Sequence, residues 1–363
     1  MPARSPALPE LLQKVSRSFG LSIRLLPPAL REPVGVAYLL ARISDTVADS
    51  AQAPVAQRLA LLDQLALCCQ ETATRPSPHA PSPPAEHTAL ARALGDLAPQ
   101  VADPHERALL AQAPACLHAL TRQSPQDQRL IRDVLAAILE GQRWDLTALD
   151  ATGQGVHSAQ EVERYTWWVA GSVGEFWTRL CEAHLSHWHR ARSADMLQWA
   201  AHYGQGLQRL NILRDAGRDL RAGRCYFPTE ALAPLGLDAT TLCAAARSED
   251  LDTLSRLTPV LLAWQQQTEQ NLHAGLRYSL ALRGHRLRLA SALPGLIGVR
   301  TLALLRQAGV QALVQHHKLP RRTLYRLLAA LVLGGVSDRQ LQASWQAGLA
   351  PARPSPLSAR IRP

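Results

Sequence analysis

Two stretches of this chain place charged side chains along one stripe of a helix that is otherwise too apolar to face water. In EPVGVAYLLARISDTVAD, Tyr38, Arg42, Asp45 and Asp49 stand at offsets 0, 4, 7 and 11. That spacing keeps all four on one helical face over three turns, about 16 Å. Val34, Val36, Leu39, Leu40, Ile43 and Val47 flank the stripe, and a helix apolar round most of its girth is a buried one. In YGQGLQRLNILRDAGRDL the pattern recurs. Gly204, Gln208, Asn211, Asp215 and Asp219 stand at offsets 0, 4, 7, 11 and 15, with Leu207, Leu210, Ile212 and Leu213 alongside. A buried stripe carrying an arginine and two aspartates is costly unless something pairs with it.

Either acid pair alone reads as well as a solvated face or a salt-bridge partner. Their recurrence inside two hydrophobic helices turns the reading toward a site. Hard oxygen donors without Cys or His suit Mg²⁺, which keeps several waters and shares its remaining positions with phosphate oxygens. Two such pairs facing one another could hold a small Mg²⁺ cluster that binds a diphosphate. Loss of that diphosphate leaves an allylic cation, and metals and arginines stabilise the departing charge.

Composition narrows the partners. The chain has 363 residues and a net charge of +10, from 39 basic and 29 acidic residues. Such a charge suits a phosphorylated metabolite or a membrane surface. No basic run carries interleaved aromatics and no zinc-finger spacing occurs, so nucleic acid is not expected. Six scattered cysteines (Cys68, Cys69, Cys116, Cys181, Cys225, Cys243) form no CxxC and no disulfide framework, which fits a reducing compartment. The opening MPARSPALPELLQKV lacks an apolar core of signal-peptide type, and no uncharged apolar run approaches the ~20 residues that span a bilayer. A cytoplasmic monomer is expected. Weak peripheral membrane contact, on the inner face, is expected through 296–333, where Leu-rich stretches mix with Arg300, Arg306, Lys318, Arg321, Arg322 and Arg326.

Helical periodicity runs through the chain and no alternating hairpin pattern interrupts it. An all-α fold is predicted, as one helical domain over 1–340. Its helices include about 8–20, 30–50, 54–73, 104–121, 125–148, 159–191, 193–220, 250–282, 288–316 and 320–332. Ser124 and Pro125 start one of them as N-cap and first helical residue. The Pro-rich loop at 76–86 is a surface excursion, and the Pro- and Arg-rich tail, 351–363, is expected to be disordered. His184, His187 and His189 lack the HExxH arrangement and do not read as a zinc site. His316 and His317 read as a basic helix end, and Asp145 as structural.

The motifs go further than the periodicity. SRSFGLSIRLLPPALREPVGVAYLLARISDTVAD (16–49), YTWWVAGSVGEFWTRL (165–180) and QRLNILRDAGRDLRAGRCYFP (208–228) resemble three blocks of the squalene/phytoene synthase family. PGLIGVRTLALL (294–305) adds a weaker similarity. Where some members have DxxED, Ala48 stands here in place of Glu, with the DxxxD core intact. The resemblance implies a single bundle of the isoprenoid synthase type, with a long apolar central channel and the aspartates at its mouth. It assigns Asp45, Asp49, Asn211, Asp215 and Asp219, and with them Gln208, to Mg²⁺ and diphosphate. Arg42, Arg214 and Arg224 would neutralise diphosphate charge and Tyr38 would hydrogen-bond it. Tyr165 would assist ionisation or take the proton lost on cyclopropane closure. Ser16, in the SxSF element with Ser18, would bind substrate, and Phe19 belongs to a flap over the first site. Gly171 and Gly174 cost a helix about 1 kcal/mol each, which is reasonable where backbone bends or another chain segment passes closely.

The activity implied is head-to-head condensation of two farnesyl diphosphates through presqualene diphosphate to squalene, with NADPH as reductant. Phytoene or dehydrosqualene synthesis, which needs no reductant, stays open. A catalytically silent membrane-associated subunit should have lost an aspartate or the tyrosine. A cation-cyclising terpene synthase lacks the VAGxVG and GRxYxP blocks.

Overall fold

A computed structural model describes residues 8–15, 23, 26–71, 85–149 and 155–350. The expectations for Ser16, Ser18 and Phe19, for most of the 76–86 loop and for the 351–363 tail lie outside the described residues. Among those described, every regular element is helical, as the periodicity predicts. In chain order the helices are α1 (Leu8–Val15), α2 (Pro28–Asp49), α3 (Val55–Glu71), α4 (Ala85–Leu97), α5 (Pro104–Ala111), α6 (Ala113–Thr121), α7 (Pro125–Ala148), α8 (Ala159–Thr166) and α9 (Ser172–His184). They continue as α10 (Ser193–Arg221), α11 (Thr229–Leu232), α12 (Ala239–Ser248), α13 (Leu251–Ser255), α14 (Thr258–Ala281), α15 (His285–Ala308), α16 (Arg321–Gly334) and α17 (Asp338–Leu349). They form two compact units, Met1–Ala148 with Arg164–Ala201, and Leu149–Glu163 with His202–Pro363.

In the first unit α2 is the central helix, packed against α3, α6 and α7. Pro28 stands in its first turn, where the missing N–H costs nothing. Leu30, Leu39, Leu40, Ile43 and Val47 are almost wholly buried along it, each stabilising the unit by about 1.5–3 kcal/mol. The Ser124 cap forms as expected. The Asp127 N–H donates to Ser124 Oγ at 3.1 Å, and that hydroxyl donates to Asp127 Oδ2 at 2.8 Å. The other oxygen of Asp127 meets His184 Nε2 at 2.7 Å. One buried carboxylate therefore ties the start of α7 to the end of α9. His184 is thus used structurally, and His187 and His189 lie beyond it in a non-helical loop, so the helix expected over 159–191 stops at His184.

In the second unit α15 packs on α14 and α17. Arg288, buried on α15, donates to the carbonyls of Ser279, Leu280 and Val336 and pairs with Asp338. The stretch His285–Leu313 is long and apolar enough to cross a membrane by length and composition, although most of its apolar window is buried inside the protein.

Candidate active site

The first acid stripe is held by α2. Asp45 accepts from Gln142 Nε2 at 2.6 Å and faces Arg42 Nη1 at 3.7 Å. Arg42 in turn is hydrogen-bonded to Glu106 on α5. Burial works against the Arg42 charge, but Glu106 and Asp45 outweigh it and raise its pKa. Asp45 fares differently. Desolvation, and then the charge of Asp49, push its carboxyl up to about 6, against the counter-pull of Arg42 and Gln142. Its side chain still keeps 45% of its surface accessible, so this acid remains reachable from solvent. Asp49 is exposed one turn on, and Tyr38 reaches the Val15 carbonyl at 3.5 Å. Glu106 and Gln142 are partners that sequence reasoning missed. The signal for them was the unpaired charge of the stripe itself, which required partners without saying which.

The second stripe lies on α10. Arg214 clasps Asp215 with two hydrogen bonds, 3.2 and 2.7 Å. Arg218 stands 3.5 Å from both Asp215 and Asp219. Burial again opposes ionisation of Asp215, but the Arg214 hydrogen bonds and the charges of Arg214, Arg218 and His316 outweigh it and hold the carboxyl below its ordinary range. Asn211 Nδ2 donates to Gln208 Oε1 at 3.4 Å, which leaves the Asn211 oxygen on the same face. Arg224, just past the helix, donates its backbone N–H to the Asp219 carbonyl at 2.8 Å and its guanidinium to the Tyr226 hydroxyl at 2.5 Å. Gln208, Asn211, Arg214, Asp215 and Asp219 share this stretch of α10 and Arg224 follows it, while Arg218 and His316 act on Asp215 beside them. His316 lies in a non-helical segment after Leu313 rather than at a helix end.

Tyr165 is buried at the end of α8, its ring centroid 4.8 Å from that of Trp144 on α7. Immediately after it, Trp167–Gly171 forms a π-helical turn in which the Ser172 N–H reaches back to the Trp167 carbonyl. Such turns cluster at functional sites. Gly171, one of the two glycines whose cost in a helix asked for a bend or a close approach, closes it. Gly174 meets the other expectation: a Cβ there would lie 2.1 Å from the Ala200 carbonyl oxygen.

The donor chemistry fits Mg²⁺. Among the described residues no three His, Cys, Asp or Glu side chains converge. What α2 and α10 offer instead is carboxylate pairs, with amide oxygens on α10. A hydrated Mg²⁺ asks for that: one or two carboxylates, its other positions going to water and phosphate. The raised Asp45 pKa marks an anionic pair that a cation would relieve.

A family model described as squalene/phytoene synthase matches residues 12–326. The chain belongs to the squalene/phytoene synthase family. Within the family, it is 28% identical to phytoene synthase of Rhodobacter capsulatus over 235 residues, 65% of this chain and 55% of that protein. It is 26% identical to squalene synthase of Saccharomyces cerevisiae over 221 residues, 61% and 45% of the two chains. The chain spans about half the length of these curated relatives. Among solved structures, the complex of TcSQS with the ligand E5700 matches with a TM-score of 0.72 at 24% identity, over 94% of this chain and 88% of that one. A dehydrosqualene synthase with bound ligand reaches 0.55 at 20% identity, over 94% and 95%. The all-α, isoprenoid synthase fold of the family is therefore the fold of this chain.

Proposed function

We propose that this chain joins two farnesyl diphosphates head to head, through presqualene diphosphate, to give squalene, with Mg²⁺ and NADPH. The observation that carries the reading is the pair of DxxxD stripes, one on α2 and one on α10, each intact in a member of this family. Asp45 and Asp49 would hold Mg²⁺ on one helix, and Asn211, Asp215 and Asp219 on the other. Bound there, Mg²⁺ would supply charge neutralisation at a departing diphosphate.

The protein's own groups supply the rest. Arg214 presents a guanidinium beside Asp215 and Arg224 one bonded to the Tyr226 hydroxyl, and both are suited to phosphate oxygens. Arg42, anchored by Glu106, sets the electrostatics round Asp45 and offers its charge to a diphosphate. Tyr38 would donate a hydrogen bond. Tyr165, held by Trp144 against α7, places a phenol where a proton can be given or accepted without bulk water. Trp144 beside it would present an aromatic surface to cationic carbon.

Likeness to phytoene synthase supports a second reading, in which the same condensation ends by proton loss without a reductant. Incubation of the purified protein with farnesyl diphosphate and Mg²⁺, with and without NADPH, separates the two. Squalene is expected with NADPH, and presqualene diphosphate or unreduced alcohols without it. Dehydrosqualene as the single product, identical in both incubations, would overturn the squalene reading, and so would phytoene formed only from the C20 diphosphate. Geranylgeranyl diphosphate in a parallel incubation tests chain length, and chelation of Mg²⁺ should stop turnover in every case.

A further inference from the structure

The net charge of the chain is concentrated in one stretch. Between Glu269 and Asp338 there is no acidic residue, while ten arginines and lysines lie there, from Arg277 to Arg326. Removing those ten from the 39 basic residues leaves 29, against 29 acidic ones, so the rest of the chain is neutral. Three of the ten are used inside the fold: Arg288 on Asp338, Arg300 on the Ser344 carbonyl at 3.0 Å and Arg306 on Glu269 at 2.6 Å. The other seven are exposed.

Four of these seven are gathered at α16. Leu327 and Leu331, one turn apart, turn into the unit. The opposite side exposes Arg321, Arg322, Tyr325, Arg326 and Ala329, and Lys318 precedes the helix. Tyr325 is 65% exposed, more than any other large hydrophobic side chain among the described residues. At the far end a Cβ on Gly335 would lie 3.5 Å from the His285 ring, which brings the exposed pair Arg283 and Arg286 beside the end of α16. Basic groups therefore stand at both ends of a helix about 21 Å long.

We propose that α16, with the flanking Lys318 and the Arg283–Arg286 turn, is a docking surface for an anionic lipid bilayer. A short helix with its outer face cationic, an aromatic at its middle and Leu324 and Leu328 half-buried on its flanks lies in the plane of a lipid headgroup layer. The tyrosine ring sits at headgroup level while arginine stems lie along it and guanidiniums pair with phosphate. Anionic lipid answers the missing acids, and charge is the main source of affinity because few apolar side chains are free to insert. Single-stranded nucleic acid is the weaker match, since one aromatic offers no succession of stacking platforms. The inference does not depend on which hydrocarbon the enzyme makes.

Flotation of the full chain with phosphatidylcholine vesicles, with and without phosphatidylglycerol, tests this across a salt series. Binding is expected only with phosphatidylglycerol, strong at low salt and released as salt rises. The triple variant R321Q/R322Q/R326Q should weaken it on the order of a hundredfold. Tyr325→Ala should weaken it severalfold at unchanged charge. A matched triple variant on the first unit, R107Q/R122Q/R129Q, should bind as the parent does. Thermal melts of each variant verify folding, and turnover of substrate presented in detergent should be unchanged in the α16 variants. Equal binding to neutral vesicles, no binding at any salt, or a loss as large in the first-unit variant would overturn the proposal. So would binding of an oligonucleotide, lost in the α16 variant, by a chain that ignores vesicles.

Discussion

Asp45 on α2 and Asp215 on α10 are each the first acid of a DxxxD pair, yet their surroundings push their carboxyls in opposite directions. Arg214 holds Asp215 in a two-pronged grip and Arg218 adds its charge, so that carboxylate is stable as an anion. Asp45 has a neutral amide at 2.6 Å and an arginine at 3.7 Å whose nearer partner is Glu106. Desolvation and Asp49 prevail there. The same motif thus makes one acid held firmly as an anion and one that burial and a neighbouring acid make costly to ionise. We read Asp45 as poised to take metal, and Asp215 as poised to trade an arginine from carboxylate to phosphate.

Activity gives the largest effect. Asp45→Asn and Asp215→Asn should each lower kcat by at least about a hundredfold, close to 3 kcal/mol of barrier, with far-UV circular dichroism unchanged. A variant keeping more than about a tenth of the parent rate would remove its pair from the reaction.

Stability should separate the two pairs in sign. Asp45 has a folded pKa of about 6 against an ordinary 3.8, so the folded state holds the proton more tightly. Its ionisation cost is absent below about pH 3.8, grows as pH rises toward 6 and is complete above 6. In EDTA at pH 7.5, Asp45→Asn should therefore melt above the parent, and at pH 3.8 the two should coincide. Asp215 is lowered, so its contribution is favourable above its ordinary pKa and is lost as pH falls through the folded value. Asp215→Asn should melt below the parent at pH 7.5 and converge with it in acid. Shifts of one sign for both would erase the contrast.

Gln142→Leu sharpens it. The amide donates to Asp45 while its own Oε1 is buried without a partner. Replacing it should cost turnover about tenfold through Asp45, yet leave the melting temperature unchanged or higher, because a buried unpaired oxygen is removed with it. A large loss of stability without loss of rate would make Gln142 a packing residue. The smallest effect is expected at Arg218, whose side chain is 71% exposed. Arg218→Gln should change stability by less than ~1 kcal/mol and rate by less than about threefold. A larger change in rate would place it beside Arg214.

Much of this was legible in the sequence, for local reasons. The Ser124–Pro125 start fixed α7, and α10 followed from its own periodicity between Ser193 and Arg221. The stripes could be read because helical spacing is a one-dimensional property. The partners could not, since Glu106, Gln142, Trp144 and His316 meet the sites only through tertiary packing. Several helix boundaries were missed, two of them for different causes. The segment 104–121 divides at Gln112, and Pro114 two residues on was the available signal. The π turn in the stretch after Tyr165 had no such marker, because no residue type specifies an i→i+5 bond.

That turn has a bearing on how the enzyme can be altered. It inserts one extra residue into an otherwise continuous helical path from α8 to α9, and one residue is about 100° of rotation. The wider turn takes up that rotation, so Tyr165 before it and the Gly174 contact with Ala200 after it keep the phases that an unbroken helix one residue shorter would give them. Deleting a single residue within Trp167–Gly171 should therefore restore a regular α-helix and leave Tyr165 against Trp144. What the deletion removes is the local widening itself, so a chain that kept its phenol in place and lost activity would give the turn a role apart from the residues it carries.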